Sequence, residues 1–208
     1  MDLLPILKQQ RAIAVIRAPA AQLGYEMAQA AAAGGMRLIE ITADSDRPWA
    51  LIDRLRTALP DCVIGTGTIL NQADWQNAVS SGAQFMFSPH VDEQLIAQSR
   101  SIGLAMIPGA LSPTEIVTAW QAGATAVKVF PVQAMGGAAY IKALGDPLGH
   151  IPLIPTGGVT LANAQELIAA GSIAVGLAGS LFPKSLVVGG NWPGITDLAQ
   201  QLMRSVKL

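Results

Sequence analysis

Apolar, largely β-branched runs alternate along the chain with alanine- and leucine-rich stretches of helical spacing. The first run, 12–17, is closed by Ala18-Pro19. The alanine-rich stretch from about 20 to 33 then stops at Gly34-Gly35, a helix-ending signal, and a second apolar run occupies 37–42. The same pattern predicts strands at 63–68, 85–89, 104–108, 126–131, 152–157 and 173–179, eight in all, recurring at intervals of roughly 19 to 26 residues. Asn71, the run Ser112-Pro113-Thr114-Glu115 and Thr160 are the residue types that open helices, and residues 3–10 predict a short amphipathic helix ahead of the first strand.

Such alternation implies parallel β/α units, and runs apolar on both faces imply a sheet buried on both sides. Eight units within 208 residues fit a compact (β/α)8 TIM barrel with a short N-terminal helix, forming one domain over 1–208. The alternative is an open doubly wound sheet, which places a glycine-rich turn after its first strand to receive a dinucleotide pyrophosphate. This chain has Ala18-Pro19-Ala20 there, which disfavours a nucleotide-binding fold.

Composition narrows the partners. Lys and Arg number 13 against 14 Asp and Glu, so a net charge of -1 offers no field for nucleic acid or an anionic membrane, and any anion site must be local. A single cysteine, Cys62, excludes an internal disulfide and a cysteine zinc cluster and fits a reducing, cytoplasmic setting. The N-terminal residues lack the basic-then-apolar layout of a signal peptide. The uncharged window 167–183 is interrupted by Gly171, Ser172, Gly176 and Gly179 and is short for a membrane span. No membrane contact is expected.

The chemistry gathers around Lys128, an ammonium within the apolar run Ala126-Val127-Lys128-Val129-Phe130-Pro131. Strand alternation sends Val127 and Val129 to one side and Ala126, Lys128 and Phe130 to the other. Lys128 could reach solvent from an edge strand or form a structural ion pair. It could also be a desolvated amine whose lowered pKa frees it to attack a carbonyl carbon. In a barrel, reactive groups collect at the C-terminal strand ends, where the sequence places Arg17, Glu40, Thr66, Thr68, Ser88, Lys128, Thr156 and Ser180. Leu38, Glu40 and Thr42 share a strand face, so Glu40 can face the same interior as Lys128. A buried salt bridge would be a doubtful source of stability, whereas a nucleophilic lysine with a proton-shuttling carboxyl is a catalytic pair. Late in the chain, Pro155-Thr156-Gly157-Gly158 and Ala178-Gly179-Ser180, with a short helix expected to begin near Leu181, occupy the loops in which barrels cradle phosphate.

Glu40 within Ile39-Glu40-Ile41-Thr42, the run Gly65-Thr66-Gly67-Thr68-Ile69-Leu70-Asn71, Ser88-Pro89, Ile107-Pro108-Gly109, Lys128-Val129-Phe130-Pro131 and Pro155-Thr156-Gly157-Gly158 together resemble the class I 2-keto-3-deoxy-6-phosphogluconate (KDPG) and 4-hydroxy-2-oxoglutarate (KHG) aldolases over nearly the whole chain. The resemblance implies a metal-independent barrel, without a cofactor and trimeric, that acts on a small-molecule keto acid and forms a pyruvyl imine on Lys128. It implies that Glu40 is the acid/base, that Thr68 lies beside the pyruvyl group, that Pro89 binds substrate and Thr156 lines the pocket, and that Gly157, Gly158, Gly179 and Ser180 match the region that receives a phosphate.

One position departs from the family. Many members place an arginine four residues after the glutamate to hold the substrate carboxylate, and here that residue is Asp44. Arg17 is similar to an arginine of the related 2-dehydro-3-deoxy-6-phosphogalactonate aldolases and could supply the guanidinium from another strand, while Asp44 is expected to repel one anionic end of a phosphorylated sugar acid. Gln133 stands where a glutamate is common. His90 and His150 lack partners at metal-ligand spacing, and Trp49, Trp75, Trp120, Trp192 and Cys62 are expected to pack. The leading expectation is a lyase releasing pyruvate and an aldehyde. The alternatives are the same imine used on 2-dehydro-3-deoxy-6-phosphogalactonate or to decarboxylate oxaloacetate, and a non-catalytic barrel binding a phosphorylated ligand.

Overall fold

The structure is a computed structural model that describes residues 1–207. Helix α1 (Leu3–Gln10) leads into strand β1 (Ala12–Ile16), α2 (Ala21–Ala33), β2 (Leu38–Thr42), α3 (Pro48–Ala58), β3 (Val63–Gly67), α4 (Gln72–Ser80), β4 (Phe85–Phe87) and α5 (Glu93–Ser101). The second half runs β5 (Ala105–Ile107), β6 (Gly109–Ala110), α6 (Pro113–Gln121), β7 (Val127–Val129), α7 (Ala138–Leu148), β8 (Leu153–Pro155), α8 (Ala164–Ala169), β9 (Val175–Leu177), α9 (Lys184–Val188) and α10 (Trp192–Val206).

Each of the eight apolar runs contains a strand, and all the pairings are parallel. The fold is therefore α/β, built on curled parallel sheets. The pairing falls into a six-stranded sheet, β5-β4-β3-β2-β1-β9, and a three-stranded sheet, β6-β7-β8, rather than one unbroken ladder. The division sits at the end of the fifth run, read from sequence as one strand. Pro108, at the end of this run, has no N–H to donate: β5 pairs with β4 before the proline, and β6, which lies beyond the run 104–108, pairs with β7 after it. Hydrogen bonds still cross both seams, from Thr125 N to Met106 O (3.0 Å), from Lys128 N to Pro108 O (2.9 Å) and from Ile173 N to Leu153 O (3.0 Å).

Two apolar layers follow from the strand period of two. Ile13, Leu38, Phe85, Phe87, Ile107, Ala126 and Ile154 point inward and pack with Leu3 and Leu7 of α1, which closes the N-terminal side of this inner layer. Ala12, Ala14, Ile16, Ile39, Ile41, Val127 and Val129 point outward against the helices. Gly65 keeps the inner layer passable, because a Cβ there would meet the Phe85 ring at 2.4 Å.

The cap signals divide. Asn71 caps α4 by accepting from Asp74 N, and Ser112 with Glu115 forms a capping box on α6 with Pro113 in its first turn. Thr160 does not cap a helix: α8 begins at Ala164, and Thr160 instead exchanges two hydrogen bonds with Asn163 in the preceding turn, Thr160 N to Asn163 Oδ1 (2.7 Å) and Asn163 N to Thr160 Oγ1 (3.2 Å). The helix expected near Leu181 begins at Lys184 instead. Pro183 disfavours helical backbone at Phe182 and itself occupies the cap position, so the helix starts one residue later. Among the described residues no helix is long and apolar enough to cross a membrane.

Candidate active site

At the C-terminal strand ends the structure encloses a cavity of about 450 Å³. Its lining includes Lys128 and Glu40, with Arg17, Thr68 and Pro89 on one part of the wall. Thr156, Gly157, Gly158, Gly179 and Ser180 form another part. Every residue singled out from the sequence as catalytic or substrate-binding therefore faces one space. Thr66 and Ser88, two other polar strand-end residues, serve the scaffold: Thr66 Oγ1 donates to Ile41 O (2.8 Å) and Ser88 Oγ to His90 O (2.6 Å).

Glu40 is 2% exposed, yet its carboxyl reaches the cavity across the end of β3. Gly67 makes that possible, since a Cβ at this position would lie 1.7 Å from Glu40 Oε1 and 2.5 Å from Cδ. Lys128 approaches from β7, with Nζ 4.8 Å from the centre of the Phe130 ring and 5.9 Å from that of Phe87. Among the described residues the ion pairs closer than 4 Å are Arg17–Asp44 and Arg47–Asp46, so Lys128 and Glu40 share the cavity without a direct salt bridge. A structural ion pair, the alternative raised by the sequence, would have brought them into contact. The gap leaves room for reacting atoms.

Burial sets the protonation chemistry of both groups. Desolvation pushes the Lys128 ammonium below its ordinary 10.5, the Arg17 charge adds to the depression, and the Glu40 charge opposes it. Desolvation raises the Glu40 carboxyl above 4.5 against the lowering influence of Lys128 and Arg17. Both shifts move toward a neutral amine and a protonated carboxyl, the states that nucleophilic attack and proton shuttling use.

The rest of the wall is polar and shaped by backbone. Thr68, just past β3, has φ 61°, a left-handed conformation that costs a β-branched residue about 1–3 kcal/mol. It turns the hydroxyl toward Arg17, whose Nη2 donates to Thr68 Oγ1 at 3.4 Å. The Thr156 hydroxyl is buried and has no hydrogen-bond partner among the described residues. Such an orphan at a cavity wall suits a ligand's polar atom. Gly176 leaves space for it, as a Cβ there would meet Thr156 Cγ2 at 2.6 Å.

Gly158 has φ 85°, and an added Cβ would strike Gln133 Cβ at 2.4 Å, so the Thr-Gly-Gly turn depends on glycine twice over. The Gln133 side chain, without an assigned role in the sequence, accepts from Asn163 Nδ2 (3.4 Å), which also donates to Gly158 O (3.1 Å). Leu161 N donates to Ser180 Oγ (3.3 Å) and ties the two glycine-bearing loops together. The start of α9 at Lys184 lies beyond the lining, so this helix does not contribute its terminus to the cradle.

Asp44 does not stand as the uncompensated charge expected from its departure from pattern. Arg17 Nε donates to Asp44 Oδ1 at 3.1 Å and lies 2.8 Å from Oδ2, an ion pair. Burial works against the charged carboxylate, but hydrogen bonds from Thr42 and Arg17, together with the guanidinium charge, outweigh it and hold the group below its ordinary range. Thr42 and Phe130 line the cavity without having been assigned roles, although the period-two alternation already put them on the faces of Glu40 and Lys128. His90 and His150 are not in the lining, and among the described residues no group of three or more His, Cys, Asp or Glu is placed to hold a metal ion.

Against known proteins, the family model described as KDPG and KHG aldolase matches residues 4–198. A 2-dehydro-3-deoxy-phosphogluconate aldolase from Pseudoalteromonas atlantica is 34% identical over 175 residues, covering 84% of this chain and 81% of its own. The KHG/KDPG aldolase of Escherichia coli is 31% identical over 183 residues, covering 88% and 85%. Among solved structures, a KDPG aldolase from Legionella pneumophila with pyruvate captured at low pH as a covalent carbinolamine intermediate superposes with a TM-score of 0.89 at 26% identity, over 97% of this chain and 98% of that one.

Proposed function

The chain belongs to the KDPG and KHG aldolase family, and from that premise we propose that it cleaves 2-keto-4-hydroxy acids to pyruvate and an aldehyde through an imine on Lys128. The observation that carries this reading is the placement of a desolvated lysine and a buried carboxyl on one cavity with no salt bridge between them.

Neutral Lys128 Nζ attacks the C2 carbonyl carbon, forming the C–N bond while the carbonyl oxygen takes the proton of the Glu40 carboxyl and leaves it as the carboxylate. Loss of water gives a protonated imine. The Glu40 carboxylate then accepts the C4 hydroxyl proton, the C3–C4 bond breaks, and its electron pair moves into the imine to give an enamine and a free aldehyde. Protonated Glu40 returns its proton to C3, and hydrolysis of the imine releases pyruvate and the amine.

Arg17 with Thr68 holds the substrate carboxylate, and the Thr156 hydroxyl meets a substrate oxygen. Gly157, Gly158, Gly179 and Ser180 form the anion cradle, which fits a phosphorylated tail such as that of KDPG. The seam-crossing hydrogen bonds support closure of the two sheets into a single-domain (β/α)8 barrel. The resemblance, together with exposed Leu70, Phe130 and Met135 after β3 and β7, supports a homotrimer, and the lone cysteine supports a cytoplasmic setting. A panel of phosphorylated and unphosphorylated 2-keto acids, read by pyruvate release, tests the reading. Turnover of KDPG or 4-hydroxy-2-oxoglutarate is expected, and binding of sugar phosphates without turnover of any member would refute it.

Gly67→Ala offers a test that leaves both catalytic side chains in the sequence. The new methyl group occupies the space of the Glu40 carboxyl and displaces it by an ångström or more, so kcat is expected to fall about 10²-fold. Circular dichroism should show a folded protein. Wild-type turnover would mean that the observed position of Glu40 is not the working one.

A further inference from the structure

Resting on the aldolase reading above, the geometry points to Asp44 as a positioning residue that holds Arg17 in the orientation in which it receives the substrate carboxylate. Arg17 carries two bidentate edges, Nε with Nη2 and Nη1 with Nη2. Asp44 occupies Nε at 2.8 Å and Thr68 takes a long bond from Nη2, leaving the Nη1–Nη2 end for an incoming carboxylate. Arg17 lines the cavity beside Glu40 and Lys128.

The pairing is imposed by backbone. Ile16 registers with Ile41 on adjacent strands, which brings the chain just past β1 alongside the loop that follows β2. Hydrogen bonds then fix this loop on both sides. Ala43 N donates to Gly67 O (2.8 Å) and Asp46 N to Ala18 O (2.9 Å), while Ala18 N donates to Ser45 Oγ (3.1 Å). Asp44 is thereby held opposite Arg17 by ties that involve neither side chain.

The two side chains are 62% and 50% exposed, so their mutual attraction is screened and stabilises the fold little. What the pair supplies is order. A free arginine at the mouth would have to be immobilised each time a substrate binds, and Asp44 meets that cost in advance. The competing effect is charge, because the same carboxylate repels a substrate anion. Two substitutions separate them: Asp44→Ala removes orientation and charge together, whereas Asp44→Asn removes the charge and keeps an oxygen for Nε.

The experiment measures steady-state kinetics with 4-hydroxy-2-oxoglutarate, together with borohydride trapping of pyruvate, for wild type, Asp44→Ala, Asp44→Asn, Arg17→Ala and Arg17→Ala/Asp44→Ala. Asp44→Ala is expected to raise KM about 3- to 10-fold, with kcat moving less, since the contact is shared by ground and transition states. Asp44→Asn is expected to recover most of the loss. In the Arg17→Ala background, Asp44→Ala should add less than about 2-fold, because the residue acts through the missing guanidinium. Multiplicative losses in the double variant would overturn the proposal, as would a lower KM in both Asp44 variants. Wild type failing to trap pyruvate would bring down the aldolase reading itself, an outcome distinct from intact trapping with additive variants.

Discussion

Lys128→Met is expected to lower aldol cleavage by roughly 10⁴-fold or more and to abolish covalent capture of pyruvate on borohydride reduction, because among the described residues no other lysine lines the cavity. Lys8, Lys142, Lys184 and Lys207 are exposed on the outer surface. In the wild type, one reduced pyruvyl adduct per chain should map to the peptide containing Lys128. An adduct elsewhere would end the assignment.

The same substitution carries a stability signature. The folded amine is held below 10.5, so between that depressed pKa and 10.5 the unfolded lysine binds a proton that the folded one has shed. Stability therefore rises with pH through this window and is lower beneath it. Lys128→Met should remove that component, and the difference in Tm between wild type and variant, followed from neutral to alkaline pH, should narrow as pH rises. A constant difference would mean that the lysine is not desolvated.

Glu40→Gln should lower kcat by about 10²- to 10⁴-fold while leaving a slow, trappable imine, since the glutamine fits the space but cannot carry the proton. The pH profile gives the sharper reading. Burial raises the Glu40 carboxyl above 4.5, and the base form is needed to break the C3–C4 bond, so kcat in the wild type should fall on acidification at a pH above the ordinary carboxylate range. This limb should vanish from the residual activity of the variant. An acid limb that survives in Glu40→Gln would place the proton shuttle on another group.

The strands and most of the site were legible in the sequence for one physical reason. Parallel strands buried on both faces must be apolar throughout, so polar residues at their ends stand out, and the period of two groups Lys128 with Ala126 and Phe130 and Glu40 with Leu38 and Thr42, faces that a barrel would turn to one interior. The features that escaped depend on non-local or single-residue effects. Pro108 separates β5 from β6 because it lacks one N–H, which hydrophobic periodicity does not register. Pro183 delays α9, and the cradle that seemed to include a helix end is made of loop backbone and Ser180. The Arg17–Asp44 contact joins residues 27 apart in sequence, and only the register of β1 on β2 makes them neighbours. Read alone, Asp44 looks like a lost arginine; in the fold it is a partner for another one.

The packing of α1 beneath the inner layer bears on the traffic of water. Leu3 and Leu7 seal the side opposite the cavity, and Leu38, Phe85, Phe87, Ile107 and Ile154, each no more than 1% exposed, fill the space between. Glu40 and Lys128 line the cavity on the other side of this layer, at the C-terminal ends of the strands. If Glu40 is the proton shuttle proposed above, a substrate filling the cavity shields the hydrogen that this buried carboxyl collects, and the atom taken from the substrate hydroxyl is expected to be delivered to the new methyl group of pyruvate. On the mechanism proposed above, the water lost as the imine forms and the water that hydrolyses it would share the mouth of this cavity with the aldehyde, so departure of the aldehyde is expected to precede completion of the cycle.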